Sequence, residues 1–214
     1  MVVKAIIFDL DGTLADTLQD LADALNCGLK ELHLPEHSPE DYRMMVGTGF
    51  RELCRQALPQ DRMDLLEALM EKSEKRYAQH YLDKTKPYPG IVQLLDDLHR
   101  RGLSLALLSN KPDDFVKQMT RQMFGPNCFK LILGEQQGLP RKPDPAGALL
   151  ILRQLKVSPA DSLYVGDSGT DMQTATAAGM YPVGVSWGFR DRSELLAGGA
   201  KHIIDQPGEL LELF

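Results

Sequence analysis

The sequence of this 214-residue chain predicts an α/β protein, a doubly wound parallel sheet with a helical insert after its first strand. Three observations carry that reading. Short apolar runs rich in β-branched residues alternate with stretches of helical periodicity, the pattern of strands joined by crossover helices. The interval between the first two runs, residues 9 to 102, is far longer than a crossover needs. The acidic and hydroxyl residues collect where the runs end, and ligands bind in open α/β sheets at the carboxyl ends of the strands.

The strand-like runs are Ala5–Phe8, Leu103–Leu108, Leu131–Leu133, Leu163–Val165, Val183–Val185 and His202–Ile204. Between them, Ile91, Leu94, Leu95 and Leu98 mark one face of a helix over 91–100, with Gly102 as its stop. Ala146–Leu155 and a segment running through Ala178 read as further helices. Within the long interval Leu18, Leu21, Leu25, Leu29 and Leu32 keep helical spacing, as do Met63, Leu66, Leu69 and Met70. Ser38 followed by Pro39 and Asp41 predicts a capped helix start. The expected division is a core of residues 1–14 and 86–214 with a helical cap of residues 15–85.

Composition narrows the function. With 43% hydrophobic and 25% charged residues the chain reads as an ordinary globular protein. A net charge of -6 argues against a nucleic-acid binder, which carries a basic face. Cys27, Cys54 and Cys128 are odd in number and widely spaced, which argues against disulfides and a zinc site. His33 and His37 stand four apart, but Pro35 between them breaks the helix that would align them. No cleavable leader and no bilayer-length apolar run is visible, so a cytoplasmic location is expected.

The chemistry-bearing residues sit at strand ends. Asp9 and Asp11 follow the first run directly, and two acids held together there repel and call for a cation. Mg²⁺ suits hard oxygen donors with positions left open for phosphate, so the pair points to metal-assisted phosphoryl chemistry. A polar Asp-Gly turn is the plainer alternative. Ser109 and Asn110 follow the second run, where a helix N-terminus would offer N–H groups to a phosphate, or where they simply cap that helix. Lys142 is either a point charge for a phosphoryl group or a solvated loop lysine. Asp167 and Asp171 lie at a fourth strand end and at the start of a helix, placed for metal ligation as well as for the helix dipole.

Taken in order, Asp9-x-Asp11-Gly12-Thr13, Ser109-Asn110, Lys142-Pro143 and Gly166-Asp167-x-x-x-Asp171 resemble the haloacid dehalogenase-like hydrolase superfamily over essentially the whole chain. The resemblance implies a Rossmann-like core of strand order 5-4-1-2-3 with a cap inserted after the first strand. It implies Asp9 as a nucleophile forming an aspartyl-phosphate and Asp11 as general acid and base. It further implies Mg²⁺ held by the side chains of Asp9 and Asp167 and the backbone carbonyl of Asp11, with Asp171 supporting it through water. Gly12, Thr13, Ser109, Asn110 and Lys142 are the implied phosphoryl-binding set. The second acid, Asp11, favours phosphate ester hydrolysis over dehalogenation.

The stretch Met45-Val46-Gly47-Thr48-Gly49-Phe50-Arg51-Glu52-Leu53 resembles the Val-Gly-x-Gly segment of phosphoglycolate phosphatases. It either brings Gly47, Thr48, Gly49 and Arg51 near a second anionic group of the substrate or is a plain helix-helix turn with an exposed arginine. The expected partner is a small anionic phosphorylated metabolite, with no nucleic acid and no membrane, bound by a monomer or a homodimer. Pyrophosphate or sugar-phosphate hydrolysis and a phosphomutase are alternatives within the superfamily, and Lys30 would be the Schiff-base candidate of a phosphonate hydrolase. A phospho-acceptor signalling domain is the alternative of a different class, although such domains lack both the cap and Asp11.

Overall fold

In the computed structural model, which describes residues 2–214, the six apolar runs form one parallel sheet. The strands are β1 (Ala5–Phe8), β4 (Ser104–Pro112), β5 (Leu131–Glu135), β6 (Ser162–Gly166), β7 (Tyr181–Val185) and β8 (His202–Ile204), in spatial order β5-β4-β1-β6-β7-β8. The first run is therefore central, the second and third lie to one side and the fourth and fifth to the other, with the sixth continuing beyond the fifth. β1 is buried throughout. Ile6 and Phe8 pack into one apolar layer with Leu105 and Leu107, while Ala5 and Ile7 pack into the other with Ala106 and Leu108. That two-sided burial is why the run is continuously apolar, and each large side chain in it contributes about 1.5–3 kcal/mol relative to exposure.

Helices cover both faces: α5 (Ile91–Arg100), α6 (Asp113–Phe124), α7 (Ala146–Leu155), α8 (Gly169–Ala177) and α9 (Arg192–Gly198). The second strand runs further than its apolar segment predicts. It continues through Ser109, Asn110 and Lys111 to Pro112, which pairs with Glu135 after a register shift, and α6 begins only at Asp113. Ser109 and Asn110 thus lie inside a strand rather than at a helix N-terminus. The Asp113 carboxylate accepts the Gly134 N–H and closes that corner.

The insert leaves and rejoins the sheet through a short antiparallel pair, β2 (Ala15–Asp16) and β3 (Lys86–Pro87). It carries α1 (Leu18–Glu31), α2 (Pro39–Met45), α3 (Phe50–Ala57) and α4 (Leu66–His80), joined before α4 by a 3-10 turn over Gln60–Leu65. Ser38 caps α2 as its sequence predicts, in a reciprocal box with Asp41. Leu21, Leu25, Leu29, Leu53 and Leu69 form a hydrophobic cluster of the insert's own. Asp20 is buried at the start of α1, and its carboxylate accepts the N–H groups of Lys84 and Thr85 at 2.8 to 3.1 Å, tying both connections together. His33 sits at a positive φ, and the His37 ring contacts the Ala57 carbonyl at 2.8 Å and meets Tyr42 edge-on, so the histidine pair is spent on structure. All three cysteines are free. No helix of the described residues is long and apolar enough to cross a membrane.

Candidate active site

Parallel pairing fixes the site's position. Phe8 lies opposite Leu107 of β4 and Val165 of β6, so Asp9, Ser109 and Asp167 emerge together past the same sheet edge. The chain after Asp9 turns sharply: the N–H groups of Thr13, Leu14 and Ala15 all converge on the Leu10 carbonyl, and Gly12 N–H donates to Ala15 O at 2.9 Å. Gly12 has φ +79, and a Cβ there would lie 2.2 Å from Asp167 Oδ2. Only glycine satisfies both the backbone and the close approach.

One oxygen from each of Asp9, Asp167 and Asp171 lies within 4.8 Å of the others, and all three residues are buried. Thr13 Oγ1 and Phe189 N–H donate to Asp167, at 3.2 and 2.8 Å, and fix its rotamer. Asp171 performs two tasks. Its Oδ2 accepts the N–H and hydroxyl of Ser168 in a capping box at the start of α8, while Oδ1 accepts Lys142 Nζ at 2.7 Å. Lys142 Nζ is also 2.9 Å from Asp9 Oδ1, but off the line of a hydrogen bond, so that oxygen has a charged neighbour and no hydrogen-bond donor.

This cluster is short of positive charge. Burial, aided by Asp171, Asp167 and Asp11 and opposed by Lys142, pushes the Asp9 carboxyl up to about 8. Burial and Asp171 raise Asp167 to about 7. Burial acts to lower Lys142, but Asp171 and Asp9 outweigh it and hold the ammonium well above its usual range. Three hard oxygen donors around one ammonium, with an unbonded oxygen among them, fit a small divalent cation. Asp11 adds no side chain to that triad; its two carboxylate oxygens each lie 3.1 Å from Lys111 Nζ.

A cavity open at its mouth lies between this cluster and the insert, and Asp9, Asp11, Ser109, Lys111 and Lys142 line it. Several expected ligands have other work. The Asn110 amide is fully used, accepting Lys142 N–H at 2.9 Å and donating to the carbonyls of Lys142 and Gly47, so it positions Lys142 and touches the insert rather than holding phosphate. Gly12 and Thr13 are likewise committed to the turn and to Asp167. Ser109 accepts the Lys111 N–H at 3.3 Å and keeps its hydroxyl proton for a ligand.

The turn before α3 departs most from expectation. Gly47 and Gly49 reach the cavity wall, but Thr48 does not, and its carbonyl instead accepts Arg141. Arg51 pairs with Glu67 of α4 at 2.5 Å, half exposed, and is absent from the cavity lining. Arg51 lies between Phe50 and Leu53 in sequence and therefore on a different face of α3 from the one those two present to the cavity, and the exposed Glu67 supplies the nearer anion. Arg51→Ala should therefore change kcat/KM for carboxylated and neutral phosphate esters alike by less than about twofold; a selective rise in KM for the carboxylated ester would return Arg51 to the site.

Two groups of residues escape sequence reasoning. Lys111 lies inside what reads as a loop, although extending the strand by alternation would have put it on the Ser109 face. Arg43 and Arg190 form a reciprocal fastening: Arg190 donates to the carbonyls of Arg43, Met44 and Val46, and Arg43 donates to Gly188 O at 2.6 Å. No sequence pattern marks these, because their targets are backbone atoms.

Comparison with known proteins gives a consistent picture. The family model described as haloacid dehalogenase-like hydrolase matches residues 6–185. A phosphoglycolate phosphatase of Pseudomonas putida is 37% identical over 97% of this chain and 78% of its own length. One from Vibrio parahaemolyticus is 33% identical over 99% of this chain and 96% of its own. The crystal structure of a predicted phosphoglycolate phosphatase from Haemophilus somnus superposes with a TM-score of 0.92 at 27% identity, covering 100% of this chain and 98% of that one.

Proposed function

The chain belongs to the haloacid dehalogenase-like hydrolase family, and from that membership we propose that it is a phosphatase acting on a small phosphomonoester, phosphoglycolate first among them, through Asp9. The observation that carries the reading is Asp9 itself, a carboxylate at the carboxyl end of the central strand that lines the cavity beside Lys142. A carboxylate oxygen of Asp9 attacks phosphorus, while Lys142, 2.9 Å from Oδ1, offsets the charge of the group. Ser109 and Lys142 bind the phosphoryl oxygens and stabilise the charge that spreads over them in the transition state. Asp11, the other acid lining the cavity, gives its proton to the departing alcohol and then takes one from the water that hydrolyses the aspartyl-phosphate. Mg²⁺ held by Asp9 and Asp167, with Asp171 behind, would neutralise the approach of carboxylate to phosphate. Residues 15–85 act as the cap that keeps bulk water and large esters out.

The test is phosphate release from phosphoglycolate, pyrophosphate, sugar phosphates and p-nitrophenyl phosphate, with Mg²⁺ and with excess EDTA. Metal-dependent release led by phosphoglycolate in kcat/KM is expected. No metal-dependent release from any of them would overturn the phosphatase reading.

The acid cluster adds a pH signature. Asp9 and Asp167 are raised far above the ordinary 3.8, so the folded state binds protons that the unfolded chain has released. Without metal, that contribution to stability is full below about pH 4 and is lost as pH rises through 7 to 8. A bound cation removes the penalty by pairing the ionised carboxylates. The gain in Tm from Mg²⁺ should therefore be larger at pH 8 than at pH 5.5, and a gain of equal size at both would show that these carboxyls do not hold the ion.

A further inference from the structure

The cavity must recognise the rest of the substrate as well as its phosphoryl group, and its walls are unequal. The insert contributes Leu21, Val46, Phe50, Leu53 and Tyr77, with Glu74 as its one charged side chain there. Among the described residues, only two cations line the cavity, Lys111 and Lys142. Lys142 is committed to Asp9 and Asp171 and, in the reading above, to the phosphoryl group. Arg51 faces Glu67, and the guanidinium groups of Arg43 and Arg190 are spent on backbone carbonyls. Lys111 is different. Its ammonium is buried, lies 4.8 Å from the centre of the Tyr77 ring, and is paired with Asp11 alone.

Resting on the phosphatase reading above, we propose that Lys111 is the specificity-determining residue. Its ammonium receives a carboxylate carried by the leaving alcohol, in exchange for Asp11. An anionic group on that alcohol has no other cation to meet in this cavity, and an apolar wall surrounds it on the insert side. The Tyr77 ring holds the ammonium in place during the exchange through its negative face.

The exchange has a second effect. While Lys111 grips both oxygens of Asp11, that side chain is held away from the departing oxygen. A carboxylated substrate takes over the ammonium and releases Asp11 to turn toward the leaving group. An ester without the carboxylate leaves the Lys111–Asp11 pair intact, so discrimination appears in kcat as well as in KM.

The experiment compares phosphoglycolate with ethyl phosphate, its counterpart lacking the carboxylate, in wild type, Lys111→Met, Lys111→Gln and Lys111→Arg. Glutamine keeps a donor toward Asp11 and so provides a folded neutral variant if methionine does not. Wild type should prefer phosphoglycolate by roughly 100-fold in kcat/KM, the scale of a buried charge-assisted contact. Both neutral variants should lower that preference to about threefold or less, with arginine recovering most of it. A preference that survives in either neutral variant, or a wild type that hydrolyses both esters equally well, overturns the assignment to Lys111 while the phosphatase reading stands. Absence of Mg²⁺-dependent hydrolysis of either ester by wild type, p-nitrophenyl phosphate included, overturns that reading and the proposal with it.

Discussion

Asp9→Asn should abolish phosphate release, lowering kcat by about four orders of magnitude, as expected when an attacking group itself is lost. The amide nitrogen is no nucleophile, and the amide oxygen cannot supply the electron pair with comparable ease. Stability should move the other way. Asp9 is one of three buried acids sharing one ammonium, and neutralising it relieves repulsion while Lys142 keeps Asp171 as partner. The Tm of the variant in EDTA should equal or exceed that of wild type. Phosphate release would be measured on protein whose intact mass shows no reversion to aspartate; release above one hundredth of the wild-type rate would remove Asp9 from its role.

Lys142→Met is expected to damage both properties. The Lys142 side chain is only 3% exposed and stands between Asp9 and Asp171, so removing its charge leaves buried carboxylates without a counterion. Breaking a buried pair from one side costs about 3–5 kcal/mol. Loss of a donor aimed at the transferring group costs about 10²–10³ in kcat. In EDTA the variant should melt well below wild type. Mg²⁺ should recover part of the Tm by supplying positive charge, but not the turnover, because the ammonium's contact with phosphoryl oxygen is not replaced. A variant that melts with wild type in EDTA would show that the cluster does not depend on this lysine.

The contrast between these variants bears on what the sequence made visible. The core was readable because a parallel sheet writes burial as continuous apolar runs, and Ala5–Phe8 and His202–Ile204 coincide with strands residue for residue. Asp9, Asp167 and Asp171 were readable because each stands immediately beyond such a run or one helical turn later. The end of β4 was not, since Ser109 to Lys111 are polar and strand pairing there continues without apolar side chains. Arg51 misled for a related reason. Spacing placed it on α3, but which helical face meets the cavity depends on how α3 packs against α4, and Glu67 captured it. Lys111 was hidden because its partners, Asp11 and Tyr77, are distant in sequence.

The fastening between sheet and insert speaks to backbone. Arg190 reaches the carbonyls of Arg43, Met44 and Val46, Asn110 reaches that of Gly47, and Arg141 that of Thr48. Every residue type presents the same carbonyl, so replacing a side chain on this part of the insert, other than Arg43 with its bond to Gly188 O, leaves the docking address unaltered. Substrate choice and docking are thereby written in separate alphabets: wall residues such as Val46, Phe50 and Leu53 can be exchanged to fit another leaving alcohol without renegotiating how the insert seats on the catalytic edge.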